Sequence, residues 1–131
     1  MFDACVQGDG PYPEGAARLL GAVAVMFPDF KIERVYTLLC GDKVTVLSKL
    51  TGTGNAPPPG SPYFLMFPNI DPAKLKGKQF VTYALEVHAI RQGKIKQSWS
   101  LVDWSTALDQ MINGAPVPDF GFSPSYVKDL Q

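Results

Sequence analysis

The sequence has no excess of either charge and few of the side chains from which metal sites are built. Lys and Arg together number 12, as do Asp and Glu, so the formal net charge is zero. Nucleic-acid-binding domains usually carry a basic patch, so we expect no nucleic-acid partner. The chain has one histidine, and its two cysteines, Cys5 and Cys40, lack metal-type spacing. A Cys/His zinc site is therefore excluded, and we predict no bound metal.

Long apolar runs are also missing. The longest, residues 22–27, is far shorter than the roughly 20 residues that cross a bilayer. The first ten residues, MFDACVQGDG, have neither the basic nor the apolar region of a signal peptide. We therefore interpret the cysteines as free thiols in a reducing compartment. Together these features predict a cytoplasmic protein with no membrane partner.

The sequence does contain enough apolar residues for one core. Aliphatic and aromatic side chains make up 46% of the 131 residues, and we predict a single domain over 1–131. Residues 14–27 are typical of a helix, which Pro28 and Asp29 end. This helix is apolar nearly all round, so it needs cover on more than one side.

Alternating and β-branched residues predict two pairs of strands. They occupy residues 30–39 and 43–53, then 79–90 and 94–104. A short helix over 105–112 follows, with Ser105 or Asp103 as its N-cap. The predicted fold class is α+β.

Between the two strand pairs lies a segment rich in proline and glycine, residues 54–78. Such a composition argues against a central strand, and loops of this length are often lids or binding loops. Its apolar stretch YFLMF needs a surface to contact. We predict that residues 57–72 form the rim of a pocket, with Phe64 and Phe67 contacting the ligand.

The second strand pair carries apolar residues on both faces. One face mixes polar groups with apolar neighbours, as small-molecule pockets do. Its polar residues are Thr82, Glu86, His88, Ser98 and Ser100. The other face is a larger apolar surface, which predicts a homodimer formed through the sheet. Its main residues are Val81, Tyr83, Leu85, Trp99 and Leu101.

Several short motifs, weak alone, occur in one order along the chain. They are FPDF (27–30), GDKVTV (41–46), LTGTG (50–54), GK (77–78), and GKI (93–95) followed by Trp99 and Asp103. In this order they resemble the SnoaL-like polyketide cyclases of the nuclear-transport-factor-like superfamily. The resemblance covers residues 14–112. It implies a curved antiparallel sheet that forms a cone-shaped α+β barrel, with helices closing a pocket.

The resemblance also implies a chemistry, and the chain departs from it. The family's cyclases close a polyketide ring without a cofactor, using an aspartate as general acid and base. That aspartate falls at Ser100, and a histidine found in many relatives falls at Ser98. Another pocket histidine falls at Glu86. Only a short segment precedes the first predicted helix here, where relatives have a long N-terminal helix.

Three functional hypotheses follow. The first is a module that binds a small, largely apolar or polyketide-like ligand without standard cyclase chemistry, using Thr82, Ser98, Ser100, Asp103, Phe64 and Phe67. The second is a cofactor-free cyclase or isomerase with Glu86 and His88 as acid and base. The third is a structural dimer whose pocket is unused.

Overall fold

The computed structural model describes residues 14–56, 67 and 69–118. Within them the chain forms two α-helices, four strands and one 3₁₀ helix. In chain order these are α1 (Glu14–Met26), β1 (Lys31–Cys40), β2 (Lys43–Thr53), the 3₁₀ helix (Pro72–Leu75), β3 (Gln79–Arg91), β4 (Lys94–Val102) and α2 (Trp104–Asn113).

The four strands form one curved antiparallel sheet in the order β1-β2-β3-β4. Tight turns join the strands of each hairpin. In the β3–β4 turn, Gln92 and Gly93 both have positive φ angles, 52° and 70°. This is the backbone twist that a two-residue type I′ turn requires. Beyond a register shift between Ala89 and Ile90, the strand pairing places Glu86 opposite Ser100 and His88 opposite Ser98.

Side chains alternate across β3, so its even-numbered residues from Phe80 to His88 share one face, here called the inner face. The hydrophobic core lies on this face, where α1 and α2 pack. The rings of Phe27 and Phe80 meet edge to face with centroids 4.9 Å apart, and both side chains are almost completely buried. Around them lie the other core residues: Val23, Met26, Leu50, Phe67, Leu75, Ala84, Ala107 and Met111.

A close backbone contact fixes the end of β2 against the 3₁₀ helix. The Gly54 N–H donates to the Lys78 carbonyl at 2.8 Å, and the Gly77 N–H donates to the Gly54 carbonyl at 2.9 Å. A Cβ atom on Gly54 would lie 1.9 Å from the Leu75 carbonyl oxygen, so no larger residue fits here. The 3₁₀ helix can therefore place Leu75 in the core.

The predicted fold class is confirmed as α+β, with a curved antiparallel sheet. Among the described residues the sheet stays open, with β1 and β4 as its edges, and does not close into a barrel.

Helix α2 begins at Trp104 because Asp103 caps it. The Asp103 carboxylate accepts from the Thr106 N–H at 3.1 Å and from the Thr106 hydroxyl at 2.6 Å. The alternative cap, Ser105, was therefore wrong, since that residue already lies inside the helix. Strand β4 also ends earlier than predicted, at Val102. None of the helices in the described ranges is both long and apolar enough to cross a membrane.

Candidate functional site

A small cavity lies between α1 and the inner face of the sheet. Its enclosed volume is about 70 Å³. The walls are largely apolar, and every strand supplies at least one of them. The lining residues are Leu20, Val23, Phe30, Ile32, Ser48, Leu50, Ala84, Glu86, Ser100, Val102 and Trp104.

Two cross-strand pairs bring four polar side chains together on the inner face. The Ser100 hydroxyl donates to Glu86 Oε1 over a long 3.4 Å, and both residues line the cavity. In the neighbouring pair, His88 Nδ1 and the Ser98 hydroxyl lie 2.6 Å apart. His88 Nε2 is 3.7 Å from Glu86 Oε2, which links the two pairs. The result is a row of polar groups from Ser98 to Ser100 on the inner face, of which Glu86 and Ser100 line the cavity while His88 and Ser98 do not.

This row supplies the groups that proton transfer needs. A carboxylate can accept a proton, and an imidazole beside it can donate or accept one. The Glu86 side chain is 36% exposed and that of His88 is 18% exposed. The carboxylate therefore borders the cavity while remaining accessible to solvent, and His88 lies deeper in the wall.

Trp104 forms the far wall of the cavity and is held by three aromatic rings. It stacks on Phe27 with centroids 6.0 Å apart. The rings of Phe67 and Phe80 meet it edge-on at 5.6 and 5.8 Å. Its indole Nε1–H is buried, and within the described part of the chain it has no hydrogen-bond acceptor.

The remaining predicted site residues lie elsewhere. Thr82 is fully buried, and its hydroxyl donates to the Asp103 carbonyl at 2.8 Å. The Asp103 carboxylate is occupied by the helix cap. Phe67 is buried in the core against Trp104, while Phe64 lies outside the described residues. None of these described residues lines the cavity, whereas Glu86 and Ser100 do.

The charge around the cavity is negative. Of the described side chains that line it, Glu86 is the one ionisable group, and none is a lysine or arginine. Nowhere in the described ranges do three or more His, Cys, Asp or Glu side chains gather in a way that could hold a metal ion.

Sequence reasoning missed several lining residues. Leu20 and Val23 come from α1, Ile32 from β1 and Ser48 from β2. The apolar character of α1 indicated that it needed cover, but not which of its sides faced the sheet. Trp104 was assigned to the end of a strand, so its place at the start of α2 was not foreseen. The alternation of β2 could have suggested Ser48, because Ser48 lies opposite Ala84 in the register.

Comparison with known proteins places the fold. No family model and no curated protein matches the chain. Several solved structures do match it. AclR from Streptomyces galilaeus, described as a candidate hydroxylase, is 16% identical with a TM-score of 0.58, over 79% of this chain and 68% of AclR. A candidate polyketide cyclase from Bacillus cereus ATCC 10987 is 24% identical with a TM-score of 0.59, over 80% of this chain and 56% of that protein.

A third similar structure is a SnoaL-like polyketide cyclase from Agrobacterium tumefaciens. It is 15% identical with a TM-score of 0.57, over 75% of this chain and 68% of that protein. The aligned part thus spans 56 to 68% of the length of these three proteins. One fold often serves several chemistries, so these similarities do not fix a reaction. What they show is that this chain has the α+β fold of the SnoaL-like polyketide cyclases.

Proposed function

We propose that the protein binds a small, largely apolar ligand in the cavity between α1 and the sheet. The observation that carries this proposal is the lining itself, in which apolar side chains surround a few polar groups. Ligand sites in proteins are typically concave and apolar, with a small number of polar groups that fix orientation. The polar groups here are Glu86, Ser100, Ser48 and the Trp104 indole.

The dimensions of the cavity indicate how the ligand sits. Its volume of about 70 Å³ is roughly half that of the ~150 Å³ engineered cavity that accepts benzene. Leu20 and Ile32 line the cavity, yet each remains 53% exposed. These two side chains therefore mark its mouth. One end of the ligand enters the cavity, and the rest covers Leu20 and Ile32.

Filling the cavity tests this proposal. Ala84 lines it and is 4% exposed, so Ala84→Leu occupies the space that the ligand needs. The matched control is Ala89→Leu, on the opposite face of the same strand. Binding of ethylbenzene and acetophenone is followed by ¹H–¹⁵N NMR. Wild type and Ala89→Leu should bind, and a folded Ala84→Leu should not. Equal binding by both variants, or none by the wild type, would refute the proposal.

A second candidate function is acid/base catalysis in the same cavity. The contact between His88 Nε2 and Glu86 Oε2, at 3.7 Å, is the observation that favours it. Glu86 would accept a proton from a carbon next to a ligand carbonyl, which leaves an enolate on the ligand. His88, in contact with the Glu86 carboxylate, would stabilise the charges as the proton moves from the ligand to Glu86. This is the cofactor-free cyclase or isomerase hypothesis. The resemblance puts Ser100 at the position of the family's catalytic aspartate, so Glu86 would take over the role of that aspartate.

We also propose a homodimer formed through the outer face of the sheet, which is the face opposite the core. A row of four apolar residues crosses all four strands there: Tyr36, Leu47, Leu85 and Leu101. Leu85 is 44% exposed and Leu101 is 54% exposed. An apolar row of this extent is typical of a surface that a second molecule covers.

A further inference from the structure

The indole N–H of Trp104 is a buried donor beside the cavity. Trp104 lines the cavity, and three aromatic rings hold its own ring in place. Of the buried side-chain polar atoms in the described residues, Nε1 alone has no hydrogen-bond partner. By contrast, the polar side chains of Glu86 and Ser100, which also line the cavity, are hydrogen-bonded to each other.

Leaving such a donor without an acceptor is costly. A buried polar group with no partner loses about 1–3 kcal/mol of hydration free energy that nothing replaces. Native structures contain few such groups, and those they retain often serve a function. An acceptor brought by a ligand would remove this cost.

We infer that Trp104 Nε1–H donates to a neutral carbonyl oxygen of the ligand, and so selects ketones and related carbonyl compounds over both hydrocarbons and carboxylates. This inference rests on the proposed binding function and names the class of ligand. The oxygen must enter with the end of the ligand that fills the cavity, because Trp104 belongs to its wall. The apolar remainder then lies against Leu20 and Ile32 at the mouth.

The charge of the ligand determines whether the cavity favours a ketone or a carboxylate. A carboxylate could accept from the indole as well as a ketone does. It would, however, share a small, largely apolar space with the Glu86 carboxylate, and among the side chains that the structure describes no lysine or arginine lines that space. Two like charges in such a site repel strongly. A neutral carbonyl accepts the same hydrogen bond without this repulsion.

Three probes of similar size separate these possibilities: acetophenone, ethylbenzene and benzoate. The chain has two tryptophans, so an amide NMR spectrum shows two indole N–H signals. Trp99→Phe and Trp104→Phe assign them. Acetophenone should move the Trp104 signal downfield, as a new hydrogen bond does. Ethylbenzene should bind without that downfield shift, and benzoate should not bind. The Trp99 signal, from the outer face, should stay in place throughout.

Affinity gives the second readout. Trp104→Phe keeps an aromatic ring but removes the donor. It should weaken acetophenone binding roughly 2- to 10-fold and leave ethylbenzene binding unchanged, since one neutral hydrogen bond is lost. Trp99→Phe should change neither.

Equal losses for both probes in Trp104→Phe, or an unmoved Trp104 signal with bound acetophenone, would overturn the inference while leaving ligand binding intact. Binding of benzoate as tight as that of acetophenone would overturn it as well. If neither neutral probe binds the wild type, the proposed function fails, and this inference fails with it.

Discussion

In the catalytic hypothesis, proton transfer depends on the carboxylate of Glu86. Ser100 occupies the position of the cyclase aspartate, but a serine hydroxyl is a poor base unless another group activates it. In the structure the Ser100 hydroxyl donates to Glu86 Oε1 over a long 3.4 Å. Because Ser100 contributes only this long bond, we propose Glu86 alone as the group that takes a proton.

We expect Glu86→Gln to lower turnover of a β-keto ester or polyketide mimic by about 10²- to 10⁴-fold while the fold persists, the usual contribution of a positioned acid or base. Ser100→Ala should have little effect. Where the protein only binds, Glu86→Gln should change affinity by about tenfold or less. Turnover and affinity are measured for wild type and both variants. Wild-type turnover that survives Glu86→Gln would exclude Glu86 as the base and leave His88 as the next candidate.

A second prediction at the residue scale concerns Asp29, just after α1. Its carboxylate accepts from the Thr53 hydroxyl and from the Thr53 N–H, both at 2.7 Å. These bonds, the hydroxyl first, hold the pKa of Asp29 below its usual value. Stability from a lowered carboxylate pKa is present above the unfolded-state pKa of about 4, and it is lost as pH falls through the folded-state pKa.

Thr53→Ala removes the hydroxyl bond and keeps the backbone one. The pKa of Asp29, followed by NMR titration, should rise toward its usual value, and the variant should be less stable than wild type at pH 7. The difference in urea midpoint between Thr53→Ala and wild type should shrink at pH values below the folded-state pKa of Asp29. Thr51→Ala, two residues earlier on the same strand, is the control and should leave the Asp29 titration unchanged. An unshifted Asp29 in Thr53→Ala would show that the backbone bond alone sets the pKa.

The contact between β2 and the 3₁₀ helix gives a prediction at the element scale. Gly54→Ala should destabilise the protein by at least the ~1–3 kcal/mol typical of an overpacked core, because its Cβ would meet the Leu75 carbonyl at 1.9 Å. Gly21→Ala is the matched control. Gly21 lies in α1 with no atom within 4 Å of its added Cβ, so this change should stabilise the helix by about 0.5–1 kcal/mol. Urea unfolding gives the free energy of unfolding of both variants. A Gly54→Ala variant as stable as the wild type would contradict this close contact.

Local patterns predicted the elements better than they predicted the site. Alternation and turn residues were sufficient to find the strands, and the register confirmed Glu86 and Ser100 as neighbours. The cap was harder, since Asp103 and Ser105 both suit the start of a helix and only the backbone geometry decides between them. Trp104 reaches the cavity through its packing on Phe27, a contact between distant parts of the chain that no local pattern reveals.

The molecule as a whole has two different apolar surfaces on one sheet. Helices cover the inner face and leave a small cavity, which the Glu86 side chain and the Trp104 indole line. Among the described residues no helix packs on the outer face, and its central row is apolar on every strand. The proposed ligand site and the proposed dimer interface thus lie on opposite faces, so a substitution in one should leave the function of the other intact.

This separation makes the dimer testable by one substitution. Leu101→Lys puts a charge at the exposed edge of the outer row, and burying that charge in an interface is costly. We expect sedimentation velocity to show a dimer for the wild type at micromolar concentration and a monomer for Leu101→Lys. The control is Leu39→Lys, which changes an even more exposed leucine on the inner face and should leave the dimer intact. A monomeric wild type, or a Leu101→Lys variant that remains a dimer, would rule out assembly through this face. Because Leu101 points away from the cavity, Leu101→Lys should still bind acetophenone with wild-type affinity.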